Sequence, residues 1–137
     1  MRRVAGRAGR RYDSRMTKYV DGFVIPIATK SLPAYLKMAK LASKVWMDHG
    51  ALAYLEAVGE DLEPNQGCGP GFKGGIGIKK GETVVFSYIV YKSRAHRDKV
   101  NKKVMADPRI AESMATGKMP FDVNRMLYGG FESIVEA

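Results

Sequence analysis

Apolar positions along the chain fall into four segments with the period of a strand and two with the period of a helix. In Tyr19–Ala28 (YVDGFVIPIA), alternation puts Tyr19, Asp21, Phe23, Ile25 and Ile27 on one face. Pro26 has no N–H to give, so this strand is expected to be an edge there, or bulged. Tyr35, Leu36, Ala39, Ala42, Val45 and Trp46 then recur at helical spacing. Ser31 is placed to cap that helix, Pro33 fits its first turn, and Gly50 stops it just past Asp48. Ala51–Val58 reads as a second strand and Thr83–Tyr91 (TVVFSYIVY) as a third, β-branched and aromatic almost throughout. Ser93 can cap a second helix running to about Ala106, closed by Asp107-Pro108. Met126–Val135 closes the chain as a fourth strand. Gly59–Gly81, with eight glycines, is expected to be a long loop with a short strand near Ile76–Ile78. Residues 109–122 read as a loop with one helical turn.

The order β-α-β-β-α-β predicts an α+β, ferredoxin-like sandwich: a four-stranded antiparallel sheet with both helices on one face. Such helices leave the other face bare. The third strand is nevertheless apolar on both sides, with Val84, Phe86, Tyr88 and Val90 on one and Val85, Ile89 and Tyr91 on the other. An uncovered apolar face of this size is unusual on a soluble monomer, and a two-fold axis supplies a matching cover. The expectation is a homodimer with sheets packed face to face. The alternative is a monomer whose glycine-rich loop folds over that face.

Charge changes this picture less than its size suggests. The 137 residues carry a formal net charge of +9. Six arginines (Arg2, Arg3, Arg7, Arg10, Arg11 and Arg15) against Asp13 give residues 1–15 a charge of +5, which leaves +4 for the rest. The tail uses only arginine, whereas the remainder prefers lysine. Residues 1–15 are therefore expected to stand outside the fold, as a disordered arm or an extension foreign to it, with 16–137 as one domain. No stretch reaches the roughly 18 continuous apolar residues of a membrane helix, so no membrane partner is expected. The single cysteine, Cys68, allows no internal disulfide and suits a cytoplasmic protein.

Specific segments resemble a known family. Tyr19-Val20-Asp21-Gly22-Phe23-Val24, Val84-Val85-Phe86-Ser87, Asp107-Pro108-Arg109, Met119-Pro120-Phe121-Asp122, Arg125-Met126 and Tyr128-Gly129-Gly130-Phe131-Glu132 are similar to the YbaA-like family. This is a domain of unknown function in the dimeric α/β-barrel superfamily. The resemblance covers residues 17–136 in collinear order, and it implies the ferredoxin-like fold and the face-to-face dimer. It implies no activity. The arginine tail and the stretch 67–81 depart from the family's pattern.

Candidate chemistry is sparse. Gly69-Pro70-Gly71-Phe72-Lys73-Gly74 matches G-x-G-x-x-G, but more glycine and then a strand follow, with no helix to hold a pyrophosphate. His49 and His96, the only histidines, show no spacing that would activate Cys68 or bind a metal, and no cofactor is predicted. The basic helix residues Arg94, Arg97, Lys99, Lys102 and Lys103 read as a solvated face, and nucleic acid as an unlikely partner of the core, unless through the arginine tail. Asp21 is the exception. A carboxylate on an otherwise apolar face needs a partner, and the candidates are Arg109, Arg125 and Tyr128. With Glu56 and Asp122 as further acids, these six residues define one candidate pocket for a small ligand between sheet and helices. A structural ion pair is the competing reading. Enzyme, binding protein and non-catalytic dimeric module all remain open.

Overall fold

The structure, a computed structural model, describes residues 17–63, 67 and 69–137. The arginine tail and Cys68 lie outside the described residues. The chain runs β1 (Tyr19–Ala28), α1 (Leu32–Asp48), β2 (Ala53–Val58), α2 (Gly71–Ile76), β3 (Glu82–Tyr91), α3 (Arg94–Met105), α4 (Pro108–Ala115) and β4 (Leu127–Glu132), with short 3-10 turns at Thr29–Ser31 and Val123–Arg125. The strands form one antiparallel sheet in the order β2-β3-β1-β4, the ferredoxin-like arrangement.

Local chemistry accounts for most boundaries. Pro33 enters α1 at its second position, and Gly50, at φ 107°, takes the left-handed conformation that turns the chain out of it. The Ser93 hydroxyl accepts a hydrogen bond from the His96 N–H (3.1 Å) and starts α3. Pro26 sits where β1 is an edge: β4 pairs with β1 only as far as Val24↔Leu127.

Two expected loops contain helices. Asp107-Pro108 closes α3, but it also opens α4: Asp107 accepts from the Arg109 N–H (2.9 Å), and Pro108 supplies the preset first residue. Where a strand near Ile76–Ile78 was expected, the glycine-rich segment forms α2. Glycine disfavours a helix by roughly 1 kcal/mol per residue, and α2 buries none of its residues. Phe72 sets its ring edge-on to Phe86, 6.5 Å between centroids.

Helices α1 and α3 pack on one sheet face, with α4 beside them. The core beneath them is divided. One cluster holds Tyr19, Val45, Ile89, Tyr91, Val100, Val104 and Ile110, and the other Ile25, Ile27, Tyr35, Ala39 and Val85. Phe23 borders both. The cause lies in the sheet register. The cross-strand row between the clusters reads Glu56-Ser87-Phe23-Tyr128, and its neighbour Tyr54-Ile89-Asp21-Gly130, so polar groups occupy positions that would otherwise join the core.

The opposite face shows three rows, Ala53-Val90-Val20-Phe131, Leu55-Tyr88-Gly22-Gly129 and Ala57-Phe86-Val24-Leu127, without one charged residue. Leu55, Phe86, Leu127 and Phe131 are between 43% and 59% exposed there. The next row on this face, Pro26-Val84, is buried, with Val84 2% exposed, and Phe72 of α2 meets the Phe86 ring beside it.

Candidate functional site

Between the two core clusters lies a cavity of about 450 Å³. Its floor is the polar pair of sheet rows. Its roof is the α1 stripe Tyr35, Met38, Ala42 and Trp46, together with Asn101 and Met105 of α3 and the segment from Met119 to Met126. The four methionines give the roof flexible, polarisable walls that can adapt to an occupant.

The polar groups form two separate clusters. At one, the Asp21 carboxylate is 1% exposed and accepts a hydrogen bond from Arg97 Nη1 at 2.6 Å and from the Tyr128 hydroxyl at 3.2 Å. Arg97 also donates to the Tyr128 oxygen (2.8 Å), binds Asp98 on its outer side, and lies 4.8 Å above the Tyr19 ring. Gly130 permits this arrangement, because a β-carbon there would collide with the Tyr19 hydroxyl. Burial opposes the charge on Arg97, but the hydrogen bond to Asp98 and the charge of Asp21 outweigh it and raise its pKa. This end of the site is a neutralised ion pair.

The other cluster is built on Glu56. The Tyr35 hydroxyl donates to one carboxylate oxygen, and the Tyr54 hydroxyl donates to the other at 2.6 Å. Burial, followed by the hydrogen bond to Glu56, raises the pKa of both tyrosines, so they remain donors at neutral pH. Ser87 pairs in register with Glu56 and lines the cavity at 6% exposure. Its hydroxyl makes no hydrogen bond to any other described residue. From strand spacing, the Asp21 and Glu56 Cα atoms are roughly 12 Å apart, two strands across and two residues along.

Of the six sequence-predicted residues, Asp21, Glu56 and Tyr128 line this cavity, whereas Arg109, Asp122 and Arg125 do not. Arg109 grips Asp107 through Nε (3.0 Å) and Nη2 (2.8 Å) and reaches Asp48 at 2.8 Å, fastening α4 to the end of α1. Its bond to Asp107, which also meets His49 at 2.8 Å, holds that carboxyl well below the usual range. Arg125 binds Glu82 with both terminal nitrogens (2.6 and 3.0 Å) and the Gly77 carbonyl at 3.0 Å. Asp122 accepts from the Asn124 N–H (2.9 Å) and caps the 3-10 turn. The partner that Asp21 takes is Arg97, which the sequence reading assigned to a solvated face. Its signal was helical phase: Arg97, Val100 and Val104 follow i, i+3, i+7 spacing, and the two valines are buried. Among the described residues no group of three or more His, Cys, Asp or Glu side chains is arranged to hold a metal.

Comparison with known proteins bears on this geometry. The model of a family described as "Protein of unknown function (DUF1428)" matches residues 18–123. The chain belongs to this family. The uncharacterized protein YbaA of Escherichia coli strain K12 is 41% identical over 119 residues, spanning 87% of this chain and 98% of that protein. YbaA of Shigella flexneri matches to the same extent. Among solved structures, a NIPSNAP family protein of unknown function from Agrobacterium tumefaciens superposes with a TM-score of 0.55. It is 15% identical, over 85% of this chain and 88% of that one, so the likeness extends to the fold. The family match spans most of the cavity, from Asp21 on β1 to Val123, and ends before Tyr128.

Proposed function

We propose that this member of the family binds a small, largely apolar molecule in the cavity between sheet and helices, one per subunit of a cytoplasmic homodimer. The observation that carries this reading is Ser87. A buried hydroxyl normally has a partner, and this one opens on the cavity beside a carboxylate held in place by two tyrosines. A volume of about 450 Å³ lies within the range of small-molecule sites, and few polar groups in apolar walls is their usual composition.

The dimer reading is supported by three charge-free outer rows of the sheet, on which Leu55, Phe86, Leu127 and Phe131 stay between 43% and 59% exposed. A second copy of the same face is the cover that matches them in shape and polarity. The cytoplasmic setting is supported by the single cysteine.

A thermal-shift screen of small apolar compounds tests the ligand reading. Binding at 100 times Kd stabilises by about 2.7 kcal/mol, so hits raise the melting temperature of the wild type. Ala42→Phe, which fills the cavity from α1, abolishes the shift while the protein stays folded. Hits that ignore the filled cavity, or an absence of hits, overturn the reading.

A further inference from the structure

The charges and aromatic rings around Glu56 narrow the ligand class. Among the described residues, the charged ones that line the cavity are Asp21 and Glu56. Asp21 is neutralised from behind by Arg97, but the partners of Glu56 among the described residues are two neutral tyrosine hydroxyls. Glu56 is therefore a carboxylate inside the cavity with no cationic side chain against it among the described residues. The same carboxylate is flanked by two aromatic pairs. Tyr54 packs on Trp46 with centroids 6.3 Å apart, and Tyr35 on Phe121 at 5.8 Å. Ring faces attract cations most strongly where water is excluded, and a charge-assisted hydrogen bond is roughly twice as strong as a neutral one.

We infer that the occupant is a protonated amine on an apolar body: its ammonium group meets Glu56 and the Ser87 hydroxyl between the aromatic pairs, and its body lies under the methionine-rich roof. This rests on the ligand-binding reading above and adds the substrate class to it. A carboxylate ligand would be repelled by Glu56, and a neutral one would leave that charge unmatched.

Three probes of one shape separate the possibilities: phenethylamine, phenethyl alcohol and hydrocinnamate, titrated into the full chain. Trp46 lines the cavity and is the only tryptophan, so its fluorescence reports binding directly. The expected result is phenethylamine binding at least tenfold more tightly than phenethyl alcohol, with hydrocinnamate weakest. Glu56→Gln brings the amine-to-alcohol ratio below threefold. If that variant fails to fold by circular dichroism, the wild-type ratio decides. Alcohol or acid binding as tightly as the amine overturns the amine assignment and leaves the pocket reading intact. No response to any of the three probes overturns both.

Discussion

Arg97→Met offers the sharpest perturbation of the buried ion pair. Asp21 is 1% exposed, and among the described residues Arg97 is its only cationic partner. Methionine keeps the packing volume over Tyr19 but removes the charge. Asp21 is then left with neutral hydroxyls alone, Tyr128 at 3.2 Å and the neighbouring Tyr91. Stranding one partner of a buried pair costs about 3–5 kcal/mol. With a urea slope of about 2 kcal/mol per M, the unfolding midpoint falls by roughly 2 M. The loss comes from the orphaned carboxylate rather than from the vanished bond, so removing the carboxylate as well restores stability. Asp21→Asn in the Arg97→Met background is expected to recover at least half of the deficit. Unfolding is followed by Trp46 fluorescence at one fixed protein concentration, because association shifts apparent stability. A loss under about 1 kcal/mol for Arg97→Met, well short of what a stranded buried charge costs, refutes the reasoning. So does a double variant no more stable than the single one.

Other outcomes follow from neighbouring contacts. The Arg125 fork, with the Lys79 backbone N–H, holds the Glu82 carboxyl down from its ordinary 4.5 to about 2. A depressed acid stabilises the fold above its unfolded pKa and loses that contribution as pH falls through the folded one. Arg125→Met is therefore less stable than wild type at pH 7, and the difference fades between about pH 4.5 and 2 in acid unfolding curves. Ser87→Ala removes no protein hydrogen bond, so its stability stays within about 0.5 kcal/mol of wild type, while ligand affinity drops about fivefold for one lost neutral bond. Phe131→Glu puts a charge in the bare sheet face. Sedimentation is expected to show twice the 15.1 kDa chain mass for wild type and the single-chain mass for the variant, and a wild-type protein of single-chain mass would refute the dimer.

The fold was largely legible because strand and helix periods are local properties. All four strands and the two long helices lie within a few residues of their predicted bounds. The missed helices have local explanations. Asp107-Pro108 reads as a terminator when only the preceding helix is considered, yet the same pair caps and opens the next one. Glycine propensity argued against α2, and its contact with Phe86, from a distant strand, leaves no trace in the local pattern. The candidate site was legible by half. Alternation alone placed Asp21 on a buried face, since a strand has only two faces. Its partner lies 76 residues away on a helix whose basic residues look alike in sequence, and only the phase set by Val100 and Val104 marks Arg97 as the inward one. Tyr35 read only as one position of a helical apolar stripe and Tyr54 was not singled out, because sequence alone does not show where a hydroxyl points. Arg109 and Arg125 drew attention through the family-like segments, but they serve as staples at α4 and β3.

The cavity's role as a ligand site is tested most directly through its methionines. The chain has eight, of which Met38, Met105, Met119 and Met126 line the cavity, whereas Met47 and Met114 do not. In a protein labelled with carbon-13 at the methionine methyls, a bound ligand is expected to shift those four signals and spare the other two. Ligands that shift Met47 or Met114 while leaving the cavity methyls in place would contradict the account.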